Sequence, residues 1–246
     1  YMEKPTRLFD LLPYQQHNTP NLDIFVSKIN NNWEGMSTSK FIEQVNQLSL
    51  GLLHLGIKKD DKIALICENR VEWNIIDFAV QQIGAVFVAI YPNISDKDYE
   101  FIFNDAEIKL CIVSSDTLYK RINTLKAKLP QLQYLYSINN YNEIPNYIEI
   151  IHQKTTTPYD LEAIKATVSE NDLASLLYTS GTTGNPKGVM LTHKNLMADV
   201  MSSEFSFPVT AYQRALSFLP ACHAYERVFQ YVYMYKGLSI YFATSI

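Results

Sequence analysis

Between Lys62 and Ile138, short apolar runs alternate with amphipathic stretches, and this alternation limits the chain to few architectures. Lys62 to Cys67, Ala85 to Ile90, Leu110 to Val113 and Tyr134 to Ile138 read as strands. A strand that is apolar almost throughout must be covered on both faces, which is the habit of parallel sheets. The intervening stretches repeat apolar residues at three- and four-residue steps. They predict a helix over 71–83, one with the face Tyr99, Ile102, Phe103 and Ala106, and one along Leu118, Ile122, Leu125 and Leu129. Ser95-Asp96-Lys97-Asp98 reads as a capping box opening the second of these. Strands separated by helices of about ten to fifteen residues predict an α/β fold with mostly parallel sheets flanked by helices.

Ahead of this unit, Ile24 to Ser27 and Gly35-Met36-Ser37 flank Asn30-Asn31-Asn32 as a hairpin. Phe41, Val45, Leu48, Leu52 and Leu55 mark a helix that stops near Gly56. Behind it, 139–171 reads as a polar connector that includes Thr155-Thr156-Thr157 and a short helix around Leu161 to Val168. Beyond that come a helix over 193–205, a strand from Ala215 to Leu219, and an aromatic-rich helix over Glu226 to Lys236.

The chemistry-bearing stretch is Tyr178-Thr179-Ser180-Gly181-Thr182-Thr183-Gly184-Asn185-Pro186-Lys187-Gly188, directly after the apolar run Leu173 to Leu177. Glycines let the backbone approach a ligand and adopt positive φ. Successive backbone N–H groups in such a loop form an anion-binding hollow. The Ser and Thr hydroxyls donate to phosphate oxygens, and Lys187 adds a compact positive charge. A Walker P-loop is excluded, because Pro186 stands where that motif needs its second glycine. The expected local order is strand, loop, strand, with the loop beyond the carboxyl end of a sheet strand, where open α/β sheets bind ligands. A ligand-free β-turn is the plain alternative.

Tyr178 to Gly188, running on through Val189-Met190-Leu191-Thr192-His193, resembles the phosphate-loop signature of the adenylate-forming superfamily, which holds acyl-CoA synthetases, peptide-synthetase adenylation domains and luciferases. Leu65 to Trp73 followed by Gln82 to Pro92 is similar to that family's early strand-helix-strand unit. Phe218-Leu219-Pro220-Ala221-Cys222-His223-Ala224-Tyr225-Glu226-Arg227 resembles its block near the acyl pocket. The His-x-x-Glu-Arg ending looks like the long-chain fatty acyl-CoA synthetase branch, although Ala221-Cys222 replaces the usual Leu-Ser.

The resemblance implies a partial N-terminal domain of the adenylate-forming enzyme fold. In it, 59–206 would be the first α/β subdomain with the phosphate loop, and 1–58 with 207–246 part of a second. It implies ATP-dependent activation of a fatty acid to an acyl-adenylate, then transfer to coenzyme A, with Mg2+ as the ion. Thr179, Ser180, Gly181, Thr182, Thr183, Gly184 and Lys187 would hold the ATP phosphates, and Thr179 would also lie near Mg2+. His223 would stand at the junction of acyl pocket and nucleotide, as the candidate catalytic and acyl-substrate residue. A core histidine with a satisfied ring is the bland reading of His223. His193 and Lys194 read as a helix start carrying solvated charge, and Glu226 and Arg227 as a pair bonded locally or across the helix. The aromatics Phe229, Tyr231, Tyr233 and Tyr235 read either as an acyl-tunnel wall or as packing between sheets.

The net charge of −4 argues against general affinity for nucleic acid. Cys67, Cys111 and Cys222 fit neither a disulfide framework nor a zinc pattern, which suits a reducing cytoplasm. No run approaches the roughly 20 apolar residues of a membrane span. Peripheral membrane contact and self-association through an open sheet edge stay open. The resembling family's adenine, ribose, hinge and C-terminal lysine blocks have no counterpart, so the chain alone is expected not to form acyl-adenylate. An adenylation domain for an amino or aryl acid, or a non-catalytic nucleotide-binding module, are the competing expectations.

Overall fold

The computed structural model describes residues 3–152, 158–179, 184–203 and 208–243. Ten strands and nine α-helices follow one another among the described residues. The first part holds α1 (Leu11–Asn18), β1 (Phe25–Ile29), β2 (Asn32–Met36) and α2 (Thr38–His54). The middle alternates: β3 (Lys62–Ile66), α3 (Val71–Gln82), β4 (Val86–Ile90), α4 (Asp96–Asp105), β5 (Ile108–Val113), α5 (Asp116–Leu125) and β6 (Tyr134–Ser137). After α6 (Ile148–Ile151) and α7 (Leu161–Ala166) come β7 (Leu173–Thr179), β8 (Lys187–Thr192) and α8 (His193–Ser202). The last elements are β9 (Arg214–Ser217), α9 (Ala224–Lys236) and β10 (Ser239–Phe242).

The strands form a six-stranded sheet in the order β6-β5-β3-β4-β7-β8 and a four-stranded sheet in the order β2-β1-β10-β9. All pairings are parallel except the two hairpins, β1–β2 and β7–β8. In the larger sheet the continuous apolar strands divide by alternation, since successive side chains point to opposite faces. Ile63, Leu65, Phe87, Ala89, Leu110 and Ile112 join one core, packed with Phe41, Val45, Leu48 and Phe78 of α2 and α3. Ala64, Ile66, Val86, Val88, Cys111 and Val113 join the other, under Tyr99, Ile102, Phe103, Leu118 and Ile122 of α4 and α5. Both faces are covered, as the composition of these strands requires.

The helix ends follow local chemistry. The Ser37 hydroxyl accepts from the Lys40 N–H and that of Ser115 from the Leu118 N–H, each supplying a partner for an orphan amide of the first turn. At α4 only half of the expected box forms. Ser95 Oγ accepts from the Asp98 N–H, and the same hydroxyl donates to the Asp98 carboxylate at 2.6 Å. The helix predicted over 193–205 ends at Ser202, and Phe205 lies outside the described residues. Thr155, Thr156 and Thr157 also lie outside them. The one-turn α6 in the connector had no periodic signal.

His193 corrects its sequence reading. It begins α8 but is 1% exposed, with Nδ1 accepting from the Leu8 N–H at 3.3 Å and its ring edge-on to Phe9. Burial, and next the nearby Arg7 charge, push its pKa down to about 4, so the ring is neutral and packed rather than a solvated charge. An unfolded histidine titrates near 6.5. Between pH 6.5 and 4 the unfolded chain therefore binds the extra proton, and stability falls as pH falls through that window. The expected loss is on the order of 3 kcal/mol, full stability being kept above pH 7. Urea unfolding across this range checks it: His193→Asn, which keeps an acceptor for Leu8, should flatten the curve. Lys194 does remain at the surface, paired with Glu170 at 3.1 Å.

Candidate functional site

Because β3, β4, β5 and β7 run parallel, their carboxyl ends meet at one edge of the larger sheet. The residues following them there are Cys67, Tyr91, Ser114 and the end of β7 at Thr179. β7 turns back into β8 as an antiparallel hairpin in which Tyr178 faces Gly188 and Thr179 faces Lys187. The expected order of strand, loop and strand is what forms. Ser180, Gly181, Thr182 and Thr183 lie outside the described residues. Gly184 has φ +108°, a conformation side-chain-bearing residues avoid, and nothing within 4 Å would meet a Cβ there. Its backbone borders open space.

A cleft of about 300 Å3 opens at this edge, and its walls include Tyr91, Asp98, Tyr178, Thr179, Gly184 and His223. Of the residues singled out in the sequence, Thr179, Gly184 and His223 are thus brought together. Lys187 begins β8 with an exposed side chain and does not line the cleft. His223 is exposed and sits at the residue before α9, so it is no core histidine. Its ring stacks on Tyr91 with centroids 5.7 Å apart and planes 28° apart. Tyr91 and Cys222 also border a second cleft of about 340 Å3, lined further by Asn69, Ser217 and Phe218. Burial pushes the Cys222 thiol up to about 11, which leaves it a neutral wall rather than a nucleophile.

Asn69 ties the two sheets together beside this second cleft. Its amide donates to Ser217 Oγ at 3.0 Å and to the Leu219 carbonyl at 2.6 Å, and its oxygen accepts from the Ala221 N–H at 2.7 Å. The segment leading to His223 is thereby fixed against the loop that follows β3.

One turn into α9, Arg227 corrects the expectation of a local pair with Glu226. Arg227 is 1% exposed and pairs with Asp77 of α3 at 2.7 Å. It also donates to Ser175 Oγ of β7 and to Tyr231 Oη, each at 2.6 Å. Tyr231 donates in turn to Asp77, and Ser175 to the Phe87 carbonyl. The guanidinium lies 4.9 Å from the Phe87 ring centroid and 5.6 Å from that of Trp73. Glu226 is buried too, and burial raises its pKa against the opposing influence of nearby Ser217, Gln230 and the Leu219 backbone. Tyr231 is committed to the Arg227 cluster and Tyr235 is buried and stacks on Tyr14, so these two aromatics pack between sheets. Tyr225, Phe229 and Tyr233 meet in succession with tilted rings along another face of the helix.

Residues 12–246 match the AMP-binding enzyme family. The chain belongs to that family. This AMP-binding family member is 28% identical over 235 residues to the long-chain-fatty-acid–CoA ligase FadD15 of Mycobacterium bovis, covering 94% of this chain and 39% of that protein. It is 35% identical over 212 residues to a chloroplastic long-chain-fatty-acid–acyl-carrier-protein ligase of Arabidopsis thaliana, covering 79% of this chain and 29% of that one. The chain therefore spans well under half the length of these relatives. The N-terminal domain of FACL13 from Mycobacterium tuberculosis superimposes with a TM-score of 0.83 at 21% identity, over 98% of this chain and 57% of that one. A long-chain-fatty-acid–CoA ligase from Archaeoglobus fulgidus gives 0.83 at 19% identity, over 100% and 48%. The fold of the AMP-binding member is the N-terminal fold of these adenylate-forming enzymes. Among its described residues, no helix is long and apolar enough to cross a membrane.

Proposed function

We propose that this chain supplies the phosphate-binding part of an ATP-dependent long-chain fatty acid ligase that makes an acyl-adenylate and passes the acyl group to coenzyme A. The observation that carries the reading is one cleft at the carboxyl edge of the sheet walled by Thr179, Gly184 and His223. The hairpin loop, with Ser180, Gly181, Thr182 and Thr183, would offer amides and hydroxyls to the β- and γ-phosphates, with Lys187 beside them. His223, held by Tyr91, would orient the fatty-acid carboxylate toward the nucleotide. No group of three or more His, Cys, Asp or Glu gathers among the described residues. Mg2+ would be held mainly by the nucleotide's phosphates, as is usual for that ion, with the Thr179 hydroxyl as the protein contact. When bound, the ion neutralises charge on the transferring phosphate.

The division of strands between two sheets supports 59–206 as a first subdomain, with 1–58 and 207–246 contributing to a second. The 35% identity to an acyl-carrier-protein ligase favours a second reading for the acceptor, in which a carrier thiol replaces coenzyme A. Calorimetric titration of Mg-ATP into the chain tests the phosphate site: heat at millimolar nucleotide is expected, and its absence removes the reading. An enzyme extended to the relatives' length should release pyrophosphate with palmitate, and offering coenzyme A or carrier protein separates the two acceptors. The 246-residue chain by itself should release none.

A further inference from the structure

We infer that Tyr178 and Asp105 form a latch that sets the aim of the β7–β8 hairpin, making both positioning residues for the loop between the strands. The inference rests on reading that loop as the phosphate site. Tyr178 is the penultimate residue of β7, and its hydroxyl donates to Asp105 Oδ2 at 2.6 Å. Its ring lies across the hairpin over Gly188, its cross-strand partner. A Cβ at Gly188 would stand 3.0 Å from Tyr178 Cζ, tighter than an ordinary contact, so any side chain there would press on the ring. The tyrosine thus touches both strands and a helix at the point where the loop begins. Because successive strand residues face opposite sides, fixing the face of Tyr178 fixes that of Thr179.

Asp105 is placed at local expense. It is the last residue of α4, where the negative end of the helix dipole disfavours a carboxylate, and no basic residue stands in that turn. The Tyr178 hydroxyl is what that carboxylate gains. On the same side of α4, Asn185, two residues before β8, lines a shallow hollow with Lys97, Phe101 and Asp105, so the loop's far end also faces this helix. Burial, and then the Asp105 carboxylate, raise the phenol well above its ordinary pKa, and the proton stays in the bond across the usual pH range.

Amide hydrogen exchange and Mg-ATP titration on Tyr178→Phe, Asp105→Ala, Asp105→Asn and the Tyr178→Phe/Asp105→Ala pair test the latch. Tyr178→Phe and Asp105→Ala should each speed exchange at Thr179, Gly184 and Lys187 while leaving the β3 amides unchanged. Each should weaken Mg-ATP by about tenfold, the loss of one charge-assisted bond. The pair should be no worse than either alone, and Asp105→Asn, whose oxygen still accepts but without charge, should fall between the parent and Asp105→Ala. Unchanged exchange at the hairpin, additive losses, or equal acceleration in β3 would each overturn the latch. If the parent chain binds no Mg-ATP, the phosphate reading fails, and the exchange measurements still decide the latch.

Discussion

Arg227→Met is expected to destabilise the chain by about 3–5 kcal/mol, read as a lowered urea midpoint at unchanged slope. The reason is what remains. Asp77 is fully buried, with Tyr231 and Gln81 as its other donors, and without the guanidinium it becomes an uncompensated interior charge. Ser175 loses the same partner. Removing the whole set should undo the harm, because buried ion pairs replaced by apolar groups of similar volume are often neutral or better. The triple change Arg227→Met, Asp77→Leu, Tyr231→Phe should therefore return to within about 2 kcal/mol of the parent. A single Arg227→Met costing less than about 1 kcal/mol would show that the pair does not hold α3, α9 and β7 together.

Thr179→Val and Lys187→Met should each weaken Mg-ATP by roughly ten- to hundredfold. A hydrogen bond to a charged phosphate contributes about 1.5–3 kcal/mol, and each 1.36 kcal/mol is a factor of ten. Both side chains are exposed at facing positions where the hairpin opens, so little folding energy depends on them. The unfolding midpoint should move by no more than about 0.5 kcal/mol. Calorimetric titration gives the affinity and urea unfolding gives the control. Equal dissociation constants in the parent and both variants would mean that the anion sits elsewhere.

The larger sheet was legible because its strands are apolar on both sides and its helices on one, a contrast that two periodicities separate cleanly. The hairpin was legible from Gly184, Pro186 and the strand-like residues around them. The Arg227 cluster was not. Its members lie at 77, 175, 227 and 231, and no local spacing relates an arginine in α9 to an aspartate in α3. The cue was Asp77 itself, a charge inside Ile75-Ile76-Asp77-Phe78-Ala79-Val80, which demands a partner without naming it. His193 misled for a related reason: a histidine at a helix start next to a lysine looks solvated, and only the distant packing of Leu8 and Phe9 buries it. Tyr91 followed a well-predicted strand, but its stacking on His223 depends on how α9 returns to the sheet edge.

β1 lies between β2 and β10, so Phe25 pairs with Met36 at once but with Ile240 only after about 200 further residues have been made. At ordinary synthesis rates of 5–20 residues per second, that wait lasts roughly 10–40 s. During it the first hairpin emerges from the ribosome with a bare flank while the larger sheet, whose strands all come earlier than β10, can already assemble. Folding during synthesis should therefore be ordered, with β1 settling only after the strands of the larger sheet have been made and exposed to chaperones until then.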